Sequence, residues 1–243
     1  MSKIIKNTND FIEKNRSFIE YLGEWESKLE EVELAKLVEE AGGAENVAIA
    51  SVDMIEGFCR LGPLASPRVE AIINEIATLF RKAKSLGINN FVLLQDAHPE
   101  NSPEFDNFPP HCIKGTQEAE TVREFKVLNF FEEMEVIEKK TISSGIDTDL
   151  ETWLLAKNIR KIVVVGDCTD LCIYQKAMFA RLLANARNLD WEIILPANCV
   201  DTYDMPVKTA KKIGAMAHPG DFFHMIFLYH MNLNGITVYK SLK

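Results

Sequence analysis

Four short stretches of the chain carry reactive side chains, and each comes after a run of apolar residues. The densest is VVVGDCTDLC at 163–172, where Asp167, Cys168, Thr169, Asp170 and Cys172 crowd the end of a valine run. Thr169 and Asp170 are residue types that cap helix N-termini. A helix is therefore expected to start near 171, with Cys172 in its first turn. Unpaired N–H groups and the positive end of the helix dipole favour a thiolate there, which makes Cys172 a candidate nucleophile. A cysteine on the inner face of a helix also packs as a small hydrophobe. Spacing alone leaves both readings open.

A thiol nucleophile needs a base and donors for an oxyanion. Asp53 ends NVAIASVD and Lys139 lies at the end of MEVIEKK. An acid near a lysine and a cysteine can take the thiol proton, and the lysine can hold the ion pair. The backbone N–H groups of Cys168 and Cys172 could bind the oxyanion. By composition Lys140 is as good a candidate as Lys139, and Asp53 could be only a strand-end cap. The segment DAHPENSPEFDNFPPHC (96–112) holds Asp96, His98, Glu104 and His111. Oxygen with imidazole suits zinc, iron or manganese better than a thiolate-selecting metal. Four prolines stiffen this loop, at 99, 103, 109 and 110, which lowers the entropy lost in assembling a site. Glu100 and Asp106 compete with Glu104 on spacing. His218, His224 and His230 stand among Met and Phe in AHPGDFFHMIFLYH, a setting for core or interface packing rather than ligation.

These residues need a scaffold, and the pattern supplies one. Apolar runs at 46–53, 89–98, 134–140, 160–167, 191–199 and 235–240 read as strands. Between them, 68–87, 147–159, 171–190 and 205–217 read as helices. Such alternation implies an α/β fold with a parallel sheet covered on both faces. Ligands then bind beyond the carboxyl ends of the strands, where Asp53, Asp96, Lys139 and the DCTDLC segment all fall. Residues 9–41 read as helix with a break at Gly23 and a stop at Gly42–Gly43. Residues 1–44 are accordingly expected to form an N-terminal helical extension for packing or oligomer contact, and 45–243 a single domain.

The chain has 36 acidic and 27 basic residues, a formal net charge of -9. That disfavours nucleic acid and anionic membrane surfaces as partners. No apolar run approaches ~18 residues, and MSKIIKNTNDFIEKN lacks a signal-peptide core, so a cytoplasmic location is expected. The five cysteines are expected to be reduced. The one close pair, Cys168 and Cys172, lacks the C-x-x-C spacing common in zinc sites.

Taken together, ASVDMIEGFC, QDAHPE with FPPHCIKGT, VIEKKTISSGIDTDLE and VVVGDCTDLCIYQKA resemble, in this order and over about residues 45–240, the isochorismatase-like cysteine hydrolases. PPHCIKGT after Asp-x-His points to the nicotinamidases within them. The resemblance implies a three-layer αβα, Rossmann-like fold around a mainly parallel sheet. It implies Cys172 as nucleophile, Asp53 as general base and Lys139 as third catalytic group, because the family lysine comes after an apolar pair and one further residue. It also implies an oxyanion site at the amides of Cys168 and Cys172 and a cis peptide at Asp167–Cys168. The implied metal ligands are Asp96, His98, Glu104 and His111, around one divalent ion, zinc first, with iron or manganese as alternatives. Many relatives carry histidine where this chain has Glu104. Phe58 and Phe108 match positions that sandwich the substrate ring. The implied activity is hydrolysis of a small-molecule amide, nicotinamide, to nicotinate and ammonia through a cysteine thioester, as in NAD salvage, by a homo-oligomer. The rival readings are an amidase for an N-carbamoyl or ureido substrate, and a non-catalytic member that binds a metabolite or partner. Cys168 stands where relatives carry a small or apolar residue, and its nearness to Cys172 raises oxidative inactivation as a hypothesis.

Overall fold

A computed structural model describes residues 7–243. Its strands are β1 (Glu31–Val32), β2 (Val47–Val52), β3 (Asn90–Asp96), β4 (Glu135–Lys139), β5 (Lys161–Asp167), β6 (Glu192–Pro196), β7 (Val200–Asp201), β8 (Thr237–Tyr239) and β9 (Ser241–Leu242). Its helices are α1 (Thr8–Ser27), α2 (Leu34–Ala41), α3 (Glu56–Cys59), α4 (Pro67–Ser85), α5 (Arg123–Lys126), α6 (Leu150–Leu155), α7 (Cys172–Arg187), α8 (Val207–Ile213) and α9 (Gly220–Leu233).

The main sheet runs β4-β3-β2-β5-β6-β8, with β7 also pairing β5, and every pairing is parallel. Strands β2 and β5 are buried at every position, as a parallel sheet covered on both faces requires. Alternate residues go to opposite layers. Ile49, Leu93, Val163 and Val165 pack with α2 and α4, through Leu37, Val69, Ile73, Ile76 and Phe80. Ala48, Ala50, Val92, Val164 and Ile193 pack with α6, α7 and α9, through Leu154, Ile173, Ala177, Ala180 and Leu228. This is the expected three-layer αβα architecture. Each large aliphatic or aromatic side chain so buried contributes about 1.5–3 kcal/mol. Helix α4 also obeys its local signals: Ser66 caps it, Pro67 opens it, and Lys82 and Lys84 lie in its last turn.

Several boundaries differ from the sequence reading. Helix α1 runs through Gly23 without a break, because the position is open and a glycine there costs only about 1 kcal/mol. The break comes at residues 28–33, where β1 pairs with β9. Phe18, Tyr21 and Trp25 of α1 gather around Tyr229 of α9, at ring-centroid distances of 5.6, 5.9 and 5.3 Å. Helices α6 and α8 are shorter than the stretches 147–159 and 205–217. The sequence around His224 and His230, read only for its histidines, forms α9; it is apolar nearly all round and shows no single stripe. Among the described residues no helix is long and apolar enough to cross a membrane.

The register brings the carboxyl ends of the central strands level. Val52 pairs with Leu94 on one side and Gly166 on the other, and Asp96 pairs with Lys139. Gly166 has φ +118°, and a Cβ there would lie 2.0 Å from the Val52 carbonyl oxygen. Only glycine lets β5 approach β2 so closely at this end. Replacing Gly166 with Ala should therefore cost about 3 kcal/mol or more and lower Tm by ~6–12 °C. Gly23→Ala, in open helix surface, should raise stability by about 0.5–1 kcal/mol. Thermal unfolding of the two variants checks both signs.

Candidate active site

Lys139 closes β4 with its side chain turned inward. Strand alternation selects it over Lys140: Ile137 and Lys139 are buried, while Glu138 and Lys140 are exposed. Its Nζ lies 2.7 Å from Asp53 Oδ2, 2.6 Å from Asp96 Oδ1 and 3.7 Å from Cys172 Sγ, and it donates to the Thr141 carbonyl at 3.2 Å. Asp53 comes directly after β2 in the left-handed region, φ +55°. This conformation is uncommon outside glycine and is often found at functional sites. It turns the carboxylate back so that Oδ1 accepts the Asp96 amide at 3.0 Å. Thus three segments distant in sequence deliver a base, an ammonium and a thiol to one point.

The charges there are interdependent. Burial works against the Lys139 ammonium, but Asp53 and Asp96 outweigh it and hold its pKa well above the usual value. Two carboxylates share this one cation. Asp96 is held below the usual carboxylate range, burial notwithstanding, by Lys139 and His98. Asp53 is pushed up to about 7 by burial and by the Asp96 charge, with Lys139 opposing. A carboxylate poised near neutrality suits a general base. Burial raises the Cys172 thiol well above its ordinary value, although Lys139 pulls it down. Burial thus works against the thiolate that the helix start favours.

Asp96, His98 and His111 form a second cluster beside the first. One ligand atom from each lies within 4.8 Å of the others, and all three residues are buried. A pair of backbone hydrogen bonds sets them together: His98 N–H donates to Cys112 O, and Lys114 N–H to His98 O. His111 Nδ1–H donates to Pro109 O at 2.8 Å, which leaves Nε2 as the acceptor facing Asp96, 3.9 Å from Oδ2. His98 Nε2 lies 3.4 Å from the same oxygen and has no hydrogen-bond partner. An orphaned buried imidazole nitrogen, aimed with a second one at a carboxylate, fits a divalent cation. Glu104 stands outside this three-residue cluster; it is half-buried and lines the adjoining cavity. Glu100 and Asp106 are exposed.

Both clusters open on a cavity of about 200 Å³. Asp53, Asp96, Cys168 and Cys172 line it, together with Phe58, Phe108 and His111. The Phe58 and Phe108 rings lie 5.6 and 6.2 Å from the His111 ring. Cys172 is the first residue of α7, and the Asp167–Cys168 peptide is cis. The Cys168 and Cys172 amides make no hydrogen bond among the described residues. Thr169 and Asp170 do not cap α7, contrary to expectation. Its N-cap is Leu171, without a side-chain bond; Thr169 Oγ1 pairs with His224 Nδ1 at 2.8 Å and Asp170 Oδ1 accepts from Thr202 at 2.6 Å.

Sequence reasoning missed one wall of the cavity. Leu64, Ser66, Tyr203 and Met205 line it, and none carries a motif. Asp167, also lining it, was noted in a polar cluster and at the cis peptide, without a role for its side chain. It is fully buried, with Oδ1 unpartnered and its pKa raised by burial and by Asp53.

An isochorismatase domain model matches residues 47–222. Nicotinamidase 1 of Arabidopsis thaliana is 30% identical over 220 residues, covering 81% of this chain and 86% of the plant protein. The pyrazinamidase/nicotinamidase of Streptococcus mutans has a similar structure, with TM-score 0.63 and 25% identity over 79% of this chain and 99% of that one. The pyrazinamidase of Pyrococcus horikoshii in complex with zinc shares the fold at TM-score 0.61, 24% identical over 79% and 98% of the two chains. With an αβα scaffold, a domain match across most of its length and a plant relative matched over most of both chains, the chain belongs to the isochorismatase domain family of hydrolases.

Proposed function

We propose that the chain hydrolyses nicotinamide to nicotinate and ammonia through a thioester on Cys172. The observation that carries this reading is the contact of one buried ammonium, Lys139, with Asp53, Asp96 and the Cys172 sulfur at the floor of the cavity. The cavity, about 200 Å³, is smaller than the ~300–1,000 Å³ typical of drug-sized ligands, so a single-ring amide suits it. The plant relative named a nicotinamidase supports the same substrate.

In this reading Phe58 and Phe108 bracket the ring and direct the carboxamide to Cys172. The sulfur attacks the carbonyl carbon as its proton passes to Asp53. The Cys168 and Cys172 amides receive the oxyanion. Asp53 returns the proton to the departing nitrogen, and ammonia leaves. The regenerated carboxylate then takes a proton from water, which attacks the thioester, and nicotinate and the free thiol result. Lys139 stays charged throughout and holds Asp53 in place. Asp96, His98 and His111 would hold a divalent cation, with Glu104 as a further ligand from the cavity wall. When bound, the ion would supply a Lewis acid for a ring nitrogen. The donor set admits zinc, iron or manganese; zinc is preferred, being the ion of the Pyrococcus structure.

Ammonia release should be readily detected with nicotinamide and pyrazinamide, and be far slower with an aliphatic amide or an N-carbamoyl amine. Preference for the N-carbamoyl compound would replace this reading with the rival amidase. Cys172→Ala should lower kcat by at least about 10³-fold with ligand binding retained. Asp53 acts as a base only when ionised, so kcat/KM should fall as pH drops through its pKa, near 7 without a cation and lower once a cation offsets the Asp96 charge. A flat acid side in the pH profile would remove Asp53 from this role. Asp96→Ala should abolish bound metal in elemental analysis; unchanged metal content would mean that the ligands lie elsewhere.

A further inference from the structure

Helix α7 begins without a cap of its own, since Leu171 makes no side-chain bond to it. Yet the Cys168 and Cys172 amides can share one oxyanion only if the intervening turn keeps its shape. The turn is held from outside. Asp170, buried between the two cysteines, accepts the Thr202 hydroxyl on Oδ1 at 2.6 Å and His218 Nε2–H on Oδ2 at 2.8 Å. The other ring nitrogen of His218, Nδ1, donates to the Tyr203 carbonyl at 2.9 Å. His218 thus bridges a carbonyl and a carboxylate through its two ring nitrogens.

The ring is clamped as well as bonded. It stacks between Tyr203, at 3.8 Å and 14°, and Phe223 of α9, at 4.4 Å and 7°. The His218 backbone exchanges two hydrogen bonds with Met205, at 2.7 and 2.9 Å. Tyr203, Asp204 and Met205 line the cavity. One residue far from the nucleophile in sequence thus grips both the turn that carries the two amides and a segment that lines the same cavity.

We propose that His218 is a positioning residue for the reaction: through Asp170 it aims the Cys168 and Cys172 amides, and through Tyr203 and Met205 it sets part of the lining of the cavity. This rests on the amidase reading given above. Packing alone does not require a histidine here. A phenyl ring would fill the same stack, whereas only imidazole also satisfies a buried carboxylate and a carbonyl at its two nitrogens. Charge-assisted bonds such as that to Asp170 are stronger and more directional than neutral ones.

Three variants separate aim from packing. His218→Phe keeps the stack and loses both bonds. His218→Gln restores a donor near the place of Nε2, toward Asp170; His218→Asn restores one near Nδ1, toward Tyr203. With nicotinamide, His218→Phe should lower kcat by about 10–100-fold with KM changed less than threefold, a partial version of losing an oxyanion donor. Gln should recover most of that loss and Asn little. Wild-type kcat in His218→Phe, or equal kcat in the Gln and Asn variants, would overturn the proposal. Should the Phe variant fail to fold, the Gln–Asn comparison decides. Amide hydrogen exchange of the peptide spanning 165–175 gives a reading without substrate: faster exchange is expected in the Phe and Asn variants and near wild-type exchange in the Gln variant. If the wild-type protein releases no ammonia from nicotinamide, the amidase reading fails, and the exchange data alone decide whether His218 holds the turn; identical exchange in all four proteins would show that it does not.

Discussion

A single buried cation organises this molecule's chemistry. The Lys139 ammonium has left water for the interior, a transfer that is prohibitive for an unpaired charge. It is offset by two carboxylates at 2.7 and 2.6 Å. Two acids around one base leave an excess negative charge, and it resolves unequally. Asp96, which also faces two imidazoles, keeps its charge. Asp53, with the thiol beside it, rises toward neutrality. A group that can both take and return a proton is thus produced by the burial of Asp53 and by the neighbouring Asp96 charge, which Lys139 offsets only in part. The shared lysine links the two clusters: a cation held by Asp96, His98 and His111 would change how much of Lys139 is available to Asp53.

The fold exists, in this sense, to bring four strand ends level. Parallel register sets Asp96 beside Lys139 and Val52 beside Gly166. The absence of a side chain at Gly166 lets β2 and β5 close up just before Asp53 and Asp167. The order β4-β3-β2-β5 places the change of direction between β2 and β5, the position at which open α/β sheets bind ligands. Helix α7 then starts at Cys172, with its own first turn left uncapped and secured by side chains from the 202–218 region.

Much of this was legible in the residues because parallel strands announce themselves as short apolar runs, and the residues just past each run must sit at one edge. Asp53, Asp96, His98, His111, Lys139 and Cys172 were all reachable by that argument. Even the choice of Lys139 over Lys140 was encoded, in the shared face of Ile137 and Lys139. Other parts were not legible. The Tyr203–Met205 wall and the Asp170–His218 contact depend on where a loop and α9 pack, and no local spacing reports that. Helix α9 hid because an apolar surface on nearly every side has no stripe to read. The burial of Cys172 was hidden for a related reason: a helix start is visible in sequence, whereas the depth of burial that works against a thiolate there is not. Glu104 matched a ligand position in order along the chain, yet its loop holds it at the cavity wall rather than within the cluster of three.

The most direct measurement is acid-quenched mass spectrometry of the protein during its first turnover of nicotinamide, in wild type and in Lys139→Met. A nicotinoyl group should appear on the peptide carrying Cys172 in the wild-type protein, and should fail to form in the folded Lys139 variant. Nicotinate formed with Cys172 unmodified throughout, or acylation at an undiminished rate without the Lys139 ammonium, would contradict the view that this one buried cation sets the thiol and its base to work.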